Sequence, residues 1–257
     1  MEKQIATLKK NLVKHFTYVL EESVEQEAFI NEFFKEYVHK GTPNFQKVLV
    51  VFGEEEKVEF GSMGVVEKQV YGFSIPETIL GFSEKKNSKN YQQLISAFYR
   101  ESLVQVLAAK NKQFIAGILH TDIAMSTIFT AAYFPEKAKL VGAHLLNFLK
   151  AHKERFQIYP PDLEFGYGSI VFLAAYLLEQ SGEKELAAGI KSFIKNQVPA
   201  YESAIADLYS TDEKKVNAWV DGLAKFHVEN SKDDLTLPFN HEYWQFFPIE
   251  IISLLRL

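Results

Sequence analysis

Apolar residues recur at three- and four-residue steps along most of the chain, which is the spacing of one buried face of an α-helix. The N-terminal region holds two such stripes, one from Ile5 to Leu20 and one from Phe29 to Tyr37, and the second stops near Gly41. Further helices are predicted at about 90–109, 112–133, 136–153, 168–180, 183–197, 200–209, 213–229 and 242–257. We therefore expect a mainly α-helical protein.

One stretch departs from the helical spacing. Residues 45–52 are rich in β-branched side chains, residues 57–60 alternate between polar and apolar types, and residues 65–73 combine valines and aromatic residues with a glycine. This pattern predicts two or three short strands. We expect them to pack on the helices, because a lone hairpin is only marginally stable in water.

An internal repeat lies in the second half of the chain. The string Ser-Thr-Ile-Phe-Thr-Ala-Ala-Tyr of residues 126–133 returns 43 residues later as Ser-Ile-Val-Phe-Leu-Ala-Ala-Tyr, and an amphipathic helix follows each copy. Such a period is typical of helical-hairpin arrays, although small residues can also recur because they allow close helix packing. We predict that residues 126–153 and 169–197 form equivalent hairpins. The fold class is then mainly α, an array of antiparallel helical hairpins with a small β-hairpin insert near residues 45–75.

The chain of 257 residues is long enough for one large core, and we predict a single domain over residues 1–257. Residues 1–85 would hold the N-terminal helices and the β insert, and residues 86–257 the repeat-like part. The polar and charged stretch 83–90 is the best linker candidate between them.

Composition excludes several classes of function. The chain has no cysteine, which removes disulfides, zinc–thiolate sites and thiol nucleophiles and fits a reducing compartment. The sequence shows no signal peptide and no apolar stretch long enough to cross a membrane, so we expect a cytoplasmic protein with no membrane partner. A net charge of −5 argues against a nucleic-acid partner, which needs a basic stripe, and is compatible with a basic protein partner.

The histidines and glycines match no catalytic or metal motif. Glu36 and His39 form one Glu-x-x-His motif where a di-iron site needs two, and His120 and Asp122 lie on diverging helix faces. The Gly-Tyr-Gly-Ser of residues 166–169 follows prolines rather than a strand, which indicates a helix start and not a dinucleotide loop. We therefore predict no metal, no cofactor and no catalytic residue, and interpret the histidines as structural or surface residues.

Two acidic turns are candidates for binding a partner. The run Glu54, Glu55 and Glu56 is predicted at a hairpin tip, and Asp162 and Glu164 flank a turn that carries prolines. Acidic side chains in turns project freely and can steer a basic partner, so we name these five residues as partner-binding candidates. The alternative is a set of solvated charges that protect neighbouring hydrophobic strands from aggregation.

The C-terminal segment carries the run Asn-His-Glu-Tyr-Trp-Gln-Phe-Phe-Pro, followed by an apolar helix. Through Tyr243, Trp244 and Phe246 it resembles the closing helix of helical immunity proteins of bacterial polymorphic toxin systems, notably those that neutralise PoNe-type DNase toxins. Glu250 stands about one turn later than the acidic residue of that family, and residues 169–178 are similar to its central helix. The likeness is confined to about the last third of the chain.

This resemblance implies an immunity protein that binds and neutralises a cognate toxin, expected to be basic, by direct protein–protein contact and without catalysis. Two alternatives stay open. The chain could be an enzyme whose catalytic residues are dispersed in sequence, which would show convergent polar groups with perturbed titrations. It could also be a helical-repeat scaffold or regulator, which would show a continuous apolar concave face.

Overall fold

The computed structural model describes residues 2–40, 44–61, 74–110, 120–151, 167–194, 199–232, 237–239 and 241–257. The helices in these ranges are α1 (Glu2–Lys40), α2 (Ile75–Glu84), α3 (Ser88–Lys110), α4 (His120–Tyr133), α5 (Pro135–Ala151), α6 (Tyr167–Gln180), α7 (Lys184–Lys191), α8 (Pro199–Ala206), α9 (Glu213–Glu229), α10 (Glu242–Phe246) and α11 (Ile249–Leu255). Strands β1 (Asn44–Val51) and β2 (Glu54–Gly61) pair as an antiparallel hairpin. The prediction of a mainly α-helical fold is confirmed, and its possible third strand, residues 65–73, lies outside the described residues.

The N-terminal region is one helix rather than the two that the sequence pattern predicts. Helix α1 runs without interruption for 39 residues, because residues 21–28, between the two apolar stripes, contain no glycine or proline that would end it. It stops at Lys40, directly before the predicted stop. Leu12 and Phe16 are buried, whereas Ile5 is exposed, so the first apolar stripe is buried only in its middle.

The chain divides into two compact units. Val13–Gly117 form one, which we call the hairpin unit because it contains β1 and β2. Met1–Leu12 and Ile118–Leu257 form the other, which we call the helical unit and which contains α4 to α11. A single domain with a division near residue 85 stays a prediction.

The predicted linker, residues 83–90, connects two packed helices within the hairpin unit. The apolar spacing predicted no helix at the position of α2, although Pro76 in its first turn is typical of a helix start. The side-chain amide of Asn90 donates to the carbonyl oxygens of Gly81, at 2.8 Å, and of Lys85, at 2.9 Å. These hydrogen bonds tie the start of α3 to the end of α2, so the stretch is a tight turn and not a linker.

Helix α4 is the centre of the helical unit. Every residue from His120 to Thr130 is buried, and the helix packs against α5, α6 and α11. Two of its polar side chains tolerate this burial because the hydroxyl groups of Thr127 and Thr130 donate to the carbonyl oxygens of Ile123 and Ser126 one turn earlier, at 2.7 and 2.9 Å. A helix that has no strongly polar face can be covered by neighbouring helices, as α4 is here.

Two successive helical hairpins occupy the region of the predicted repeat. Helices α4 and α5 form the first and α6 and α7 the second, with α4 against α6 and α5 against α7. They approach closely at Gly142, where an added Cβ would stand 2.8 Å from Cδ1 of Leu178. The matched positions differ in burial, because Phe129 is fully buried whereas Phe172 is only half-buried. The equivalence of the two hairpins stays a prediction.

The predicted C-terminal helix is broken into α10 and α11. The break falls at Phe247 and Pro248, because a proline has no N–H to continue the helical hydrogen bonding. Beyond α11, Nε of Arg256 donates to the carbonyl oxygen of Ala132 at 3.0 Å, and its guanidinium lies 4.2 Å from the centre of the Tyr133 ring. The closing segment is thereby anchored to the end of α4.

Candidate functional site

The turn of the β-hairpin displays a large aromatic side chain. Phe52 and Gly53 form this two-residue turn, since Val51 and Glu54 pair across it. The backbone φ angles of the two turn residues are 52° and 90°, the combination of a type I′ turn, whose twist matches that of the strands. Phe52 is 105% exposed, so its side chain lies entirely in solvent.

Apolar side chains continue from the turn along one face of the hairpin. Val50 is 72% exposed and Val48 is 55% exposed, and two residues of a strand that are two positions apart lie on the same face. Val50 pairs with Glu55, and Val48 pairs with Lys57. We define the hairpin tip as Val48, Val50, Phe52 and Glu54–Lys57, all of which are exposed.

The predicted acidic run lies directly after the turn. Glu54, Glu55 and Glu56 are the first three residues of β2. Because side chains alternate along a strand, Glu55 shares the face of the two valines and the other two glutamates lie on the opposite face. The hairpin tip therefore has an aromatic residue at its end, two valines with one acid and one base on one face, and two acids on the other face. The other two candidates, Asp162 and Glu164, lie outside the described residues.

A buried histidine–carboxylate pair joins α9 to α11. Nδ1 of His227 lies 2.6 Å from Oε1 of Glu250, and Nε2 lies 2.9 Å from the carbonyl oxygen of Gln245. A protonated imidazole has two N–H donors and satisfies both acceptors. Burial lowers the pKa of His227, but the Glu250 charge, the hydrogen bond to it and the hydrogen bond to Gln245 outweigh burial and raise the pKa above its ordinary value.

The surroundings of this pair are closed to solvent. His227 is 5% exposed, and Glu250 and Tyr201 are fully buried. Burial, together with the charge of Glu250, raises the pKa of the Tyr201 hydroxyl well above its ordinary value, so the phenol stays neutral. Among the described residues, neither that hydroxyl nor Oε2 of Glu250 has a hydrogen-bond partner. A substrate would reach these groups only by opening the core, so we interpret the cluster as structural.

A second histidine–carboxylate pair lies nearer the surface. Nε2 of His241 is 3.2 Å from Oδ2 of Asp122, in the first turn of α4; the side chains are 36% and 4% exposed, respectively. The His241 ring stacks on Tyr243 with the ring centres 5.3 Å apart. In a neutral ring that donates from Nε2, Nδ1 is the basic atom, which is the arrangement of a general base held by a carboxylate.

His144 in α5 is held in its neutral form. Burial lowers the pKa of its half-buried ring from 6.5 to about 4. Its Nε2 is buried and has no hydrogen-bond partner within the described ranges. At neutral pH the ring therefore occupies its site without a charge.

We expect replacement of His144 by leucine to make the protein less sensitive to acid. The unfolded chain takes up this proton near pH 6.5 and the folded chain only near pH 4, so stability is lost as the pH falls between these values. For a half-buried ring the loss is about 1–3 kcal/mol. Urea denaturation at about pH 7.5 and about pH 5 measures it.

The matched control for this prediction is His39→Leu, which changes an exposed histidine. Between the two pH values, His39→Leu should lose as much free energy of unfolding as the original protein. His144→Leu should lose about 1–3 kcal/mol less. Equal losses in the two variants would contradict the assignment.

Comparison with known proteins identifies no relative. No family model matches the chain, and no curated protein or solved structure matches it. The likeness of the C-terminal segment to immunity proteins stays a prediction. Among the residues that the structure describes, no three metal-ligating side chains come together, and no helix is long and apolar enough to cross a membrane.

The acidic run is visible in the sequence, but the exposed aromatic residue beside it is not. The strand pattern of residues 45–52 predicts Phe52 as the end of a strand. One signal was available in the sequence. Residues 52–53 are Phe-Gly, and their glycine matches the second position of Asn-Gly, the preferred dipeptide of a two-residue hairpin turn. For the pairs His227–Glu250 and Asp122–His241 no local signal existed, because their members are far apart in the chain. The sequence places Asp122 beside His120, two residues away, and indicates no partner further along the chain.

Proposed function

We propose that this protein is an immunity protein that binds and neutralises a cognate bacterial toxin by direct protein–protein contact. The observation that carries the proposal is the hairpin tip, where Phe52, Val50 and Val48 are exposed together. Exposed apolar side chains that lie together and are rimmed by charges are typical of protein interaction sites. Neutralisation of this kind needs a complementary surface and no catalytic group.

The charge of the hairpin tip supports a basic partner. Glu54, Glu55 and Glu56 follow one another on β2, with Lys57 as the single cation of the tip. Acidic side chains on an exposed projection attract a cationic surface and raise the rate of encounter. A toxin that acts on nucleic acid would present such a surface, because contact with phosphates requires lysine and arginine.

Co-expression with the product of the reading frame directly beside the gene of this protein tests the proposal. We expect the original chain to restore growth of cells that express this neighbouring product. Reversal of Glu54, Glu55 and Glu56 to lysine should slow association by about tenfold or more and weaken its dependence on salt, since steering would be lost. Growth curves and stopped-flow association rates provide the measurements.

A second triple reversal, of the exposed acids Glu21, Glu84 and Asp221, is the matched control because it changes the net charge by the same amount outside the hairpin. It should leave association close to that of the original chain. Failure of the original chain to restore growth would end the immunity proposal. Equal association by both triple variants would keep the function and remove the acidic run from the interface.

An enzyme whose catalytic residues are dispersed in sequence is the second candidate, and the pair Asp122–His241 favours it. A half-exposed imidazole held by a buried carboxylate can accept a proton from a substrate. His241→Asn separates the two functions in the same growth assay. A binding protein that uses the hairpin keeps its protection in this variant, whereas an enzyme that destroys a toxic product loses it.

A further inference from the structure

We propose that Phe52 is the anchor of the interface, and that it inserts into an apolar pocket on the partner protein whose rim carries lysine and arginine side chains. The inference rests on the proposed function and names the chemistry of the partner at the same site. Aromatic residues that fill a pocket at the centre of an interface provide a large share of binding energy.

The backbone conformation of Phe52 supports a role in binding a partner rather than in packing within the chain. Its φ of 52° lies in the left-handed region, which glycine, asparagine and aspartate adopt readily and a bulky side chain adopts only with strain. The strain of an aromatic residue in this conformation is normally offset by the packing of its side chain. Here the side chain is 105% exposed, so no packing within the described residues compensates it. Strain without internal compensation is typical of residues retained for function.

The neighbouring valines make the anchor part of a larger apolar contact. Val50 and Val48 extend from the turn along one face of β1, and both are more than half exposed. A partner pocket that accepts the phenyl ring can therefore continue along this face. The paired Glu55 and Lys57 lie beside the valines on the same face, where they would meet the rim of the pocket rather than its floor.

The negative charge of the hairpin tip favours a cationic protein over the other partners that could bind there. Two copies that met tip to tip would bring Glu54, Glu55 and Glu56 of each together, which like-charge repulsion opposes. Nucleic acids and anionic lipid surfaces are repelled for the same reason. Lysine and arginine around an apolar pocket complement both parts of the hairpin tip.

Phe52→Asn tests the inference without damaging the fold. Asn-Gly is the preferred dipeptide of a type I′ turn, so the variant should melt at the same temperature as the original chain or higher. By titration calorimetry against the purified product of the neighbouring reading frame, we expect binding about 30-fold or more weaker, as for loss of an interface hot spot. Phe52→Trp should bind within about threefold of the original chain, because it keeps an aromatic anchor.

The outcomes separate the inference from the proposed function. If the original chain binds and Phe52→Asn binds equally well, the anchor is disproved while the immunity function stands. If the original chain does not bind, the proposed function itself fails. Self-association in sedimentation, or binding to vesicles of anionic lipid, that Phe52→Asn abolishes would show a different occupant and overturn the inference.

Discussion

Replacing Glu250 with alanine is expected to lower the free energy of unfolding of the helical unit by about 3–5 kcal/mol, because it breaks a buried histidine–carboxylate pair by removing one partner. Nδ1 of His227 and Oε1 of Glu250 lie 2.6 Å apart, and both residues are buried. Both tryptophans, Trp219 and Trp244, belong to the helical unit, so urea denaturation followed by their fluorescence reports its unfolding.

The same pair gives a characteristic dependence on pH. The folded pKa of His227 is raised above the unfolded value of 6.5, so its contribution is complete below pH 6.5 and is lost as the pH rises through the folded pKa. As the pH rises towards ~pH 9, the free energy of unfolding of the original chain should therefore fall more than that of His227→Gln. That variant has no proton to lose at this position.

A matched surface pair controls this experiment. Nζ of Lys225 and Oε1 of Glu229 lie 3.9 Å apart on α9 and are exposed, so Glu229→Ala should change stability by about 0.5 kcal/mol or less. The double variant His227→Leu/Glu250→Leu should lose less stability than the sum of the losses of His227→Leu and Glu250→Leu, because it leaves no buried polar group without its partner. Additive losses would contradict a coupled pair.

Replacing Phe129 with alanine is expected to lower the free energy of unfolding of the helical unit by about 3–5 kcal/mol. Phe129 lies fully buried in the central helix α4, and its ring stacks on that of Tyr133 with centres 5.1 Å apart. It also contacts Phe134 and Phe247, so the truncation leaves a cavity between α4 and the closing segment. Urea denaturation measures the loss.

The repeat itself provides the control for this prediction. Phe172 is the predicted counterpart of Phe129, but it is only half-buried, so Phe172→Ala should lower stability by about 1–2 kcal/mol. Phe129→Leu, which keeps most of the buried volume, should lose about 1.5 kcal/mol or less. Equal losses for the two alanine variants would show that the two positions are equivalent in packing, against the burial difference that the structure shows.

Local periodicity predicted most of the secondary structure. Helix α9 has the predicted bounds, residues 213–229, because an amphipathic stripe begins and ends there with ordinary helix signals. The errors have local causes. The two N-terminal stripes belong to one helix because nothing between them breaks it, and the C-terminal helix is divided because Pro248 cannot continue the hydrogen bonding of α10.

The candidate site was predicted only in part. The acidic run was visible in sequence because charge is a property of each residue. It was predicted in the turn itself, whereas the structure places it on strand β2 directly after the turn. Exposure is not a property of a residue alone. Phe52 belongs to a type that is usually buried, and only the positive φ angles of the turn place its ring in solvent.

By itself the sequence determined the mainly helical class, the place of the hairpin and the absence of cysteine chemistry, since these depend on composition and on spacings of a few residues. Only the tertiary structure decided that α4 packs against three other helices, that His227 pairs with Glu250 and that His241 meets Asp122. These outcomes depend on which distant segments pack together. Burial and the neighbouring charge set by that packing then determine what each side chain can do.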